Sequence, residues 1–270
     1  MSGVAAAAIA VAACGATGGG MRFDLTPPAP TQSLSPTRPS TPDIGVVSMI
    51  SDAIASLDLT TDQNRQVAAL LHNLQERHAQ VEETRKRLSL DIAATVEAGA
   101  VDEKGLRLDA ESLGRARADV APTDAKGLEE LHGILTPEQR KQFAAALNVA
   151  AGKVRSDDSQ RRYGNWRSDL DITIVQNEKI EPRLDPDGSL AASARAEQEA
   201  WARRMRATAS DFTNDAYTAT ANGDPDVVGS TVERVRRLTA FLNAVLPYLT
   251  PEQRKTAGAN LRAEVGVSPN

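Results

Sequence analysis

The chain has 270 residues, a formal net charge of −5, and 41% apolar but only 3% aromatic residues. This length suffices for one large domain or two small ones, and no apolar run reaches the roughly 18 residues that a membrane span needs. The acidic balance argues against a nucleic-acid-binding protein, and few aromatic and β-branched residues argue against a sandwich or barrel. Abundant helix-forming residues, alanine above all, predict an all-α fold.

The first 14 residues are typical of a lipoprotein signal peptide. A short apolar run, 4–13, ends in small residues just before Cys14, the only cysteine of the chain. This order resembles the bacterial lipobox, in which the cysteine is lipidated after cleavage. No basic residue precedes the run, so we expect a start codon upstream of Met1. Gly15 after the cysteine favours the outer membrane and predicts a protein anchored in the periplasm. The alternative is a small-residue segment with an incidental cysteine.

Residues 15–43 form a segment rich in Pro, Gly, Ser and Thr. It contains three consecutive glycines, Gly18–Gly20, and six prolines between Pro27 and Pro42. Such a composition cannot bury an apolar core. We therefore predict a disordered linker that tethers a folded part to the membrane.

Two motifs recur in the same order in the remainder of the chain. The heptapeptide that starts at Leu57 matches the one that starts at Leu170, and the heptapeptide at Leu135 is identical to the one at Leu249. The two offsets are 113 and 114 residues. Recurrence of two different motifs at nearly one offset indicates a tandem duplication. We predict a first helical domain over 44–155 and a second over 160–267.

Each motif has the form Leu/Ile-Thr-x-x-Gln, which is a helix-capping box. The threonine hydroxyl accepts a hydrogen bond from the glutamine backbone N–H, and the glutamine side chain accepts one from the threonine N–H. Four helices should therefore start at these motifs. The motif residues are Leu59, Thr60, Gln63, Leu135, Thr136, Gln139, Ile172, Thr173, Gln176, Leu249, Thr250 and Gln253.

The first copy should contain four helices. Apolar residues at spacings of three and four predict one long helix over 60–99. A second helix is predicted over about 110–118 and should stop before Pro122, since proline removes a backbone donor. Two more are predicted over 125–134 and 137–152.

The second copy follows a less regular pattern. Glu181-Pro182 and the segment Asp185–Gly188 interrupt the helix that follows Thr173. Helical spacing then resumes over 194–212, where Trp201 and Met205 lie on the apolar stripe and are predicted to be core residues. Another apolar stripe over 228–246 predicts the helix before the last motif.

The paired motifs resemble those of the LTxxQ family of periplasmic stress proteins, Spy and CpxP. A capped helix beginning Leu-x-Leu-Thr-x-x-Gln is followed 78 residues later by a helix beginning Leu-Thr-Pro-Glu-Gln-Arg. The resemblance covers residues 57–150 well and 170–265 more weakly. It implies an exported helical protein that binds unfolded clients without ATP or modulates envelope stress. Since family members form antiparallel dimers of long helices, we expect the two copies to pair as an intramolecular pseudo-dimer.

This chain differs from the family in carrying two copies, a predicted lipid anchor and an acidic net charge. Family members have a basic client-binding surface, so the basic clusters are candidates for that role. Their residues are Arg85, Lys86, Arg87, Arg203, Arg204, Arg206, Arg234, Arg236 and Arg237. The alternative is that these clusters form solvated helix faces balanced by neighbouring glutamates.

Three histidines occur in the chain, all in the first copy. His72 with Glu76, and His78 with Glu82, are spaced i,i+4 and could place weak zinc or nickel ligands on one side of a helix. The alternative, that they are ordinary surface or core histidines, agrees better with the lack of a metal-binding motif. We therefore expect neither a resident metal nor another cofactor.

The sequence as a whole predicts a binding protein without enzymatic activity, since no nucleophile–base arrangement or phosphate-binding loop occurs. The first hypothesis is a periplasmic chaperone or envelope-stress modulator whose partners are unfolded exported proteins. The second is a zinc- or nickel-responsive envelope sensor or buffer. The third is a structural helical lipoprotein.

Overall fold

The computed structural model describes residues 51–149, 166–219 and 224–266. The chain in these ranges is helical and contains no strand, which confirms the predicted all-α fold. The main helices are α1 (Thr61–Arg77), α2 (Ala79–Ala98), α3 (Glu103–Ile134), α4 (137–149), α5 (Ile174–Leu184), α6 (Ser189–Phe212), α7 (Val227–Val245) and α8 (Pro251–Glu264). Cys14, the predicted signal peptide and the linker lie outside the described residues.

Each of the four motifs starts a helix as predicted. At the first, the Thr60 N–H donates to Gln63 Oε1 over 3.0 Å, and the Gln63 N–H donates to Thr60 Oγ1 over 3.2 Å. The same reciprocal pair occurs at the other three motifs. At each start the capping box satisfies backbone donors that the first turn of a helix leaves unpaired.

Two predicted helix boundaries in the first copy are wrong. The helix after Thr60 divides at His78 into α1 and α2. The predicted break at Pro122 does not occur, because α3 continues through this proline to Ile134. A proline inside a helix costs about 3 kcal/mol. Burial of Leu128 and Leu131 on its C-terminal side offsets that cost, since each buried leucine contributes about 1.5–3 kcal/mol.

The interruption in the second copy lies slightly later than Glu181-Pro182. Pro182 is inside α5, and the chain leaves the helix at Asp185. Gly188 then adopts a left-handed φ of 72° immediately before α6, a conformation that glycine adopts without a steric penalty. The Asp185 carboxylate accepts hydrogen bonds from the backbone N–H groups of Leu190 and Ala191 at the start of α6.

Two apolar cores hold the helices together. Core I surrounds the motifs of the first copy and takes residues from α1, the C-terminal part of α3, and α4. It also takes Ala209 and Phe212 from the end of α6 in the second copy. Its buried residues are Ala53, Ile54, Val67, Leu70, Leu71, Leu74, Leu128, Leu131, Leu135, Phe143, Ala144, Leu147, Ala209 and Phe212.

Core II surrounds the motifs of the second copy and takes residues from α5, α7 and α8. It also takes a large contribution from the first copy, through α2 and the N-terminal part of α3. Those first-copy residues are Val81, Leu88, Ile92, Ala93, Val96, Leu106, Ala110, Leu113 and Ala116. Each core thus combines the motif pair of one copy with helices of the other. The boundaries of the two copies themselves stay a prediction.

The inner face of α6 differs from the prediction. Trp201 and Met205 are only partly buried and belong to neither core, so their prediction as core residues is wrong. Helical spacing correctly placed both residues on one face of α6. It could not show whether that part of the face packs in a core. Among the described helices, none has both the length and the apolar character needed to cross a membrane.

Candidate functional site

The two motifs of the first copy dock against each other through their glutamines. Gln63 Nε2 donates to Gln139 Oε1 over 2.8 Å, and Gln139 Nε2 lies 3.1 Å from Gln63 Oε1. The same amide groups also reach backbone carbonyls across the junction, Gln63 to Ile134 and Gln139 to Asp58, over 2.9 Å and 2.8 Å. Each glutamine therefore caps its own helix and satisfies a carbonyl next to the other motif.

The motifs of the second copy form the same junction. Gln176 Nε2 donates to Gln253 Oε1 over 2.8 Å and to the Tyr248 carbonyl over 2.7 Å. Gln253 Nε2 donates to the Leu170 carbonyl over 2.8 Å, and Asp171 beside it has a positive φ of 48°. We call these two arrangements the glutamine junctions. Their near identity is physical support for the duplication read from the motifs.

The apolar residue of each motif packs under its glutamine junction. Leu135 and Leu249 are buried in core I and core II respectively, whereas Leu59 and Ile172 pack against the edge of the same cores. The sequence pattern predicts only the capping role of the glutamines. The nearly identical spacing of these glutamines in both copies is a signal of their second role in docking. Which glutamines pair is seen only in the structure.

The basic clusters are largely neutralised by acidic neighbours. On α2, Arg85 bonds to Glu82 over 2.7 Å, and Arg87 lies 3.3 Å from Asp109 of α3. On α7, Arg236 bonds to Glu233 over 2.7 Å. Most of these arginines therefore stabilise helix packing locally. The clusters do not form a continuous basic surface among the described residues.

Besides the exposed but ion-paired Arg87 and Arg236, three further members of the basic clusters are exposed. They are Lys86 on α2 and Arg203 and Arg206 on α6. None of the three forms an ion pair within the described ranges. They are the positions of the clusters that a partner can reach without breaking an existing contact.

A compact ionic network joins α6 to α7. Glu197 of α6 forms ion pairs with both Arg234 and Arg237 of α7. Ser193, one turn earlier, accepts a hydrogen bond from Arg237 over 3.0 Å and donates one to Glu233 over 3.0 Å. The Glu197 side chain is 20% exposed, so the network is partly shielded from the solvent but remains within reach of salt ions.

The four candidate metal ligands are not brought together. His72 Nε2 lies 3.4 Å from Glu76 Oε1 on the open surface of α1. His78 is buried, and its Nε2 faces Asp124 Oδ1 of α3 at 2.7 Å, while Glu82 pairs with Arg85. In the described part of the chain, no group of three or more His, Cys, Asp or Glu side chains could hold a metal ion.

An aromatic cluster surrounds the buried His132 in core I. The His132 ring stacks on Tyr217 at 5.0 Å and meets the edge of Phe212 at 5.1 Å, and Phe143 packs on Phe212 at 4.6 Å. His132 Nε2 lies 2.9 Å from the Asn214 carbonyl. Burial lowers the pKa of His132 and raises the pKa of Tyr217 to about 12, so both side chains are held in their neutral forms at neutral pH.

The described surface has few large apolar side chains. Four are more than about one-third exposed, and Ile174 and Val175, 78% and 60% exposed, are the most accessible of them. They occupy the first turn of α5, where the first copy has Thr61 and Asp62. Isolated exposed apolar residues are common on soluble proteins, so this pair alone does not identify a binding site.

Comparison of the chain with protein-family models, with curated proteins and with solved structures gave no match.

Proposed function

We propose that this protein is a periplasmic chaperone or envelope-stress modulator that binds unfolded exported proteins without ATP through its amphipathic helices. The observation that carries the proposal is the glutamine junction, in which two LTxxQ motifs start two helices and dock them together. The motif is the feature that resembles the Spy and CpxP family, and here it organises both halves of the molecule. The role requires binding alone and no catalytic chemistry.

We further propose that the two copies act as an intramolecular pseudo-dimer. In support, core I contains Phe212 of the second copy, and core II contains Leu88 and Leu113 of the first. A chain arranged in this way would need no second protein molecule to complete its helical framework. Its binding activity per molecule would then not depend on the protein concentration, because no dimer has to form.

Client binding would combine charge with apolar contacts. The exposed Lys86, Arg203 and Arg206 offer positive charge, and scattered exposed side chains such as Leu108 and Ile174 offer apolar contacts. Contacts of this kind are individually weak and adaptable. They suit unfolded chains of varied sequence better than one folded partner.

The test is suppression of aggregation of a chemically denatured client by the purified protein. We expect near-stoichiometric protein to reduce light scattering strongly, and no effect at about tenfold excess over client would reject the chaperone proposal. The contribution of charge is tested with the double variant Arg203→Glu/Arg206→Glu. Its matched control is Arg65→Glu/Arg77→Glu, which changes two exposed arginines of α1 and should retain the activity.

The proposed location depends on a lipid anchor at Cys14, which would hold the protein at the outer membrane. Metabolic labelling with radioactive palmitate should mark the natural chain and leave a Cys14→Ser variant unlabelled. Recovery of both forms in the soluble periplasmic fraction would contradict the anchor without affecting the chaperone assay.

A structural helical lipoprotein is the second candidate, and one observation favours it. The basic side chains are mostly engaged in internal ion pairs, such as those of Arg234 and Arg237 with Glu197. Such pairing leaves less charge free to hold clients than the sequence suggested. Isolation of the tethered protein with one stoichiometric partner, together with inactivity in the aggregation assay, would support this candidate.

A further inference from the structure

Helix α6 is attached to the rest of the molecule in two different ways along its length. Its last turn places Ala209 and Phe212 in core I. The remainder, from Ser189 to Thr208, buries Ala194, Ala202 and Thr208 but contributes no residue to either core. Only the last turn of α6 is therefore anchored in a core.

The remainder of α6 is held to α7 by the ionic network. Glu197 is shared between Arg234 and Arg237, and Ser193 bonds to Glu233 and Arg237. Glu197 is the acidic residue of α6 that bridges both guanidinium groups, while Glu233 of α7 itself lies 3.7 Å from Arg237. Loss of Glu197 would leave both arginines without their shared acidic partner.

The face of α6 that carries Glu197 also carries partly buried apolar side chains. Glu197, Trp201, Met205 and Thr208 follow one another at helical spacings of four, four and three residues. Trp201 and Met205 are thus partly buried on the same face through which Glu197 joins α6 to α7. Release of Glu197 would uncover both side chains while Phe212 still anchors the end of the helix.

We propose that α6 is an arm held shut by Glu197, and that its opening presents Trp201 and Met205 to an unfolded polypeptide segment. The segment would carry apolar residues beside acidic ones. Opening would remove the Glu197 carboxylate from Arg234 and Arg237, and acidic side chains of the segment would replace it. The choice of occupant rests on the proposed chaperone function, whereas the opening of the arm does not.

Hydrogen exchange of the full chain tests the opening through the variant Glu197→Gln, which keeps the side-chain shape and removes the charge. We expect amides over 192–205 to exchange at least about tenfold faster than in the natural chain, and amides of α2 to stay within about twofold. The control is Glu199→Gln, an exposed residue two positions along the same helix. It loses the same charge and should leave exchange unchanged.

Two results of this experiment would overturn the proposal that α6 is an arm held shut by Glu197. Unchanged exchange over 192–205 would mean that Glu197 does not hold the helix. Equal acceleration in every helix would mean that α6 moves only with the whole molecule.

A second measurement uses the natural chain and does not depend on the variant folding. Raising sodium chloride from about 0.02 M to about 0.5 M shortens the screening length severalfold, so acrylamide should quench tryptophan fluorescence more strongly at high salt. Trp166 is 1% exposed in core II and should contribute little, so the increase should disappear in Trp201→Phe. Quenching that does not change with salt would contradict the arm.

The occupant is tested with two labelled synthetic peptides. One carries leucines and glutamates, and in the other lysine replaces every glutamate. Fluorescence anisotropy should show the glutamate peptide binding Glu197→Gln at least about tenfold more tightly than the natural chain, which corresponds to 1.4 kcal/mol. Equal binding of both peptides, or of neither, would reject this occupant. The aggregation assay on the natural chain separately decides the chaperone function.

Discussion

Helices α2 and α6 follow the first motif of their respective copies, yet they are attached by different physical means. α2 buries Leu88, Ile92 and Val96 in core II. α6 contributes only its last turn to core I, whereas its earlier turns bury Ala194 and Ala202 outside both cores and join α7 through Glu197. At an equivalent place the second copy thus has ion pairs where the first has core packing.

The glutamine junctions show the opposite behaviour, since their hydrogen bonds are nearly the same in the two copies. The difference follows from what each feature satisfies. A glutamine in the junction pairs backbone groups at a helix start and at a neighbouring turn, and a buried unpaired group costs about 1–3 kcal/mol. A helix face, by contrast, can exchange apolar contacts for ion pairs while the backbone stays hydrogen-bonded.

Phe212→Ala should have the largest effect, and it tests the apolar attachment of α6 to core I. Removal of this fully buried ring leaves a cavity beside Phe143 and His132, which should lower the free energy of unfolding by about 3–5 kcal/mol. Urea unfolding measures the loss. Thr213→Ala, at an exposed position next to it, should change stability by less than about 0.5 kcal/mol. A loss below about 1 kcal/mol for Phe212→Ala would show that α6 is not part of core I.

Gln139→Ala and Gln253→Ala test whether the two glutamine junctions contribute equally to stability. Each change removes a helix cap, a bond to a carbonyl and the amide–amide pair, so each should cost about 2–3 kcal/mol at roughly 1 kcal/mol per bond. Equal losses are expected if the junctions are equivalent. Gln142→Ala on the exposed face of α4 is the control and should be close to neutral.

A double-mutant cycle then separates pairing from capping. Gln63→Ala and Gln139→Ala should be less than additive by about 0.5–3 kcal/mol, because each single change already breaks the shared amide pair. Strict additivity in urea unfolding would mean that the two glutamines act only as independent caps.

Gly114→Ala and Gly133→Ala probe the contact between the copies on one helix, α3. A Cβ at Gly114 would lie 2.7 Å from Val228 Cα of α7, whereas a Cβ at Gly133 would meet nothing within 4 Å. The clash with the Val228 backbone in Gly114→Ala should cost about 1–3 kcal/mol. Alanine has a higher helix propensity than glycine, so Gly133→Ala should stabilise the protein by up to about 1 kcal/mol. Thermal unfolding should therefore shift in opposite directions. A stabilised Gly114→Ala would mean that α3 and α7 do not approach closely.

Sequence reasoning succeeded where a local interaction decides the structure. The four helix starts at Thr60, Thr136, Thr173 and Thr250 follow from reciprocal bonds between residues three apart, so no knowledge of the rest of the fold was needed. The end of α2 at Gly99, in the left-handed conformation with φ 70°, is equally local.

It failed where distant packing decides. Pro122 signals a helix end locally, but α3 spans both cores and keeps its helix because each half is buried in a different one. Trp201 fits an apolar stripe, but it is only partly buried and belongs to neither core. Phe212 of the second copy packs in core I, and Leu88 of the first copy packs in core II. No local sequence pattern indicates this crossing. The paired glutamines join residues 76 and 77 positions apart, a distance that spacing patterns do not reveal.

The smallest expected effect concerns pH and distinguishes core I from core II, since the second copy has no histidine. Burial lowers the pKa of His132, and nearby Arg140 lowers it further against the opposing effects of the Asn214 carbonyl and Asp215. The unfolded chain keeps the ordinary pKa near 6.5, so it takes up a proton before the folded chain does as the pH falls. Stability should therefore be full above about pH 6.5, decline below it, and level off once the folded form is also protonated.

Urea midpoints at about pH 7.5 and about pH 5.5 measure this decline. His132→Gln should reduce the difference between the two midpoints, whereas His72→Gln, at an exposed position, should leave it unchanged. Protection from hydrogen exchange, taken relative to the intrinsic exchange rate at each pH, should fall more at the acid pH in α4 of core I than in α8 of core II. An identical pH response in natural chain and His132→Gln would assign the acid sensitivity to other groups, because only a residue protonated differently in the folded and unfolded chains can make stability depend on pH.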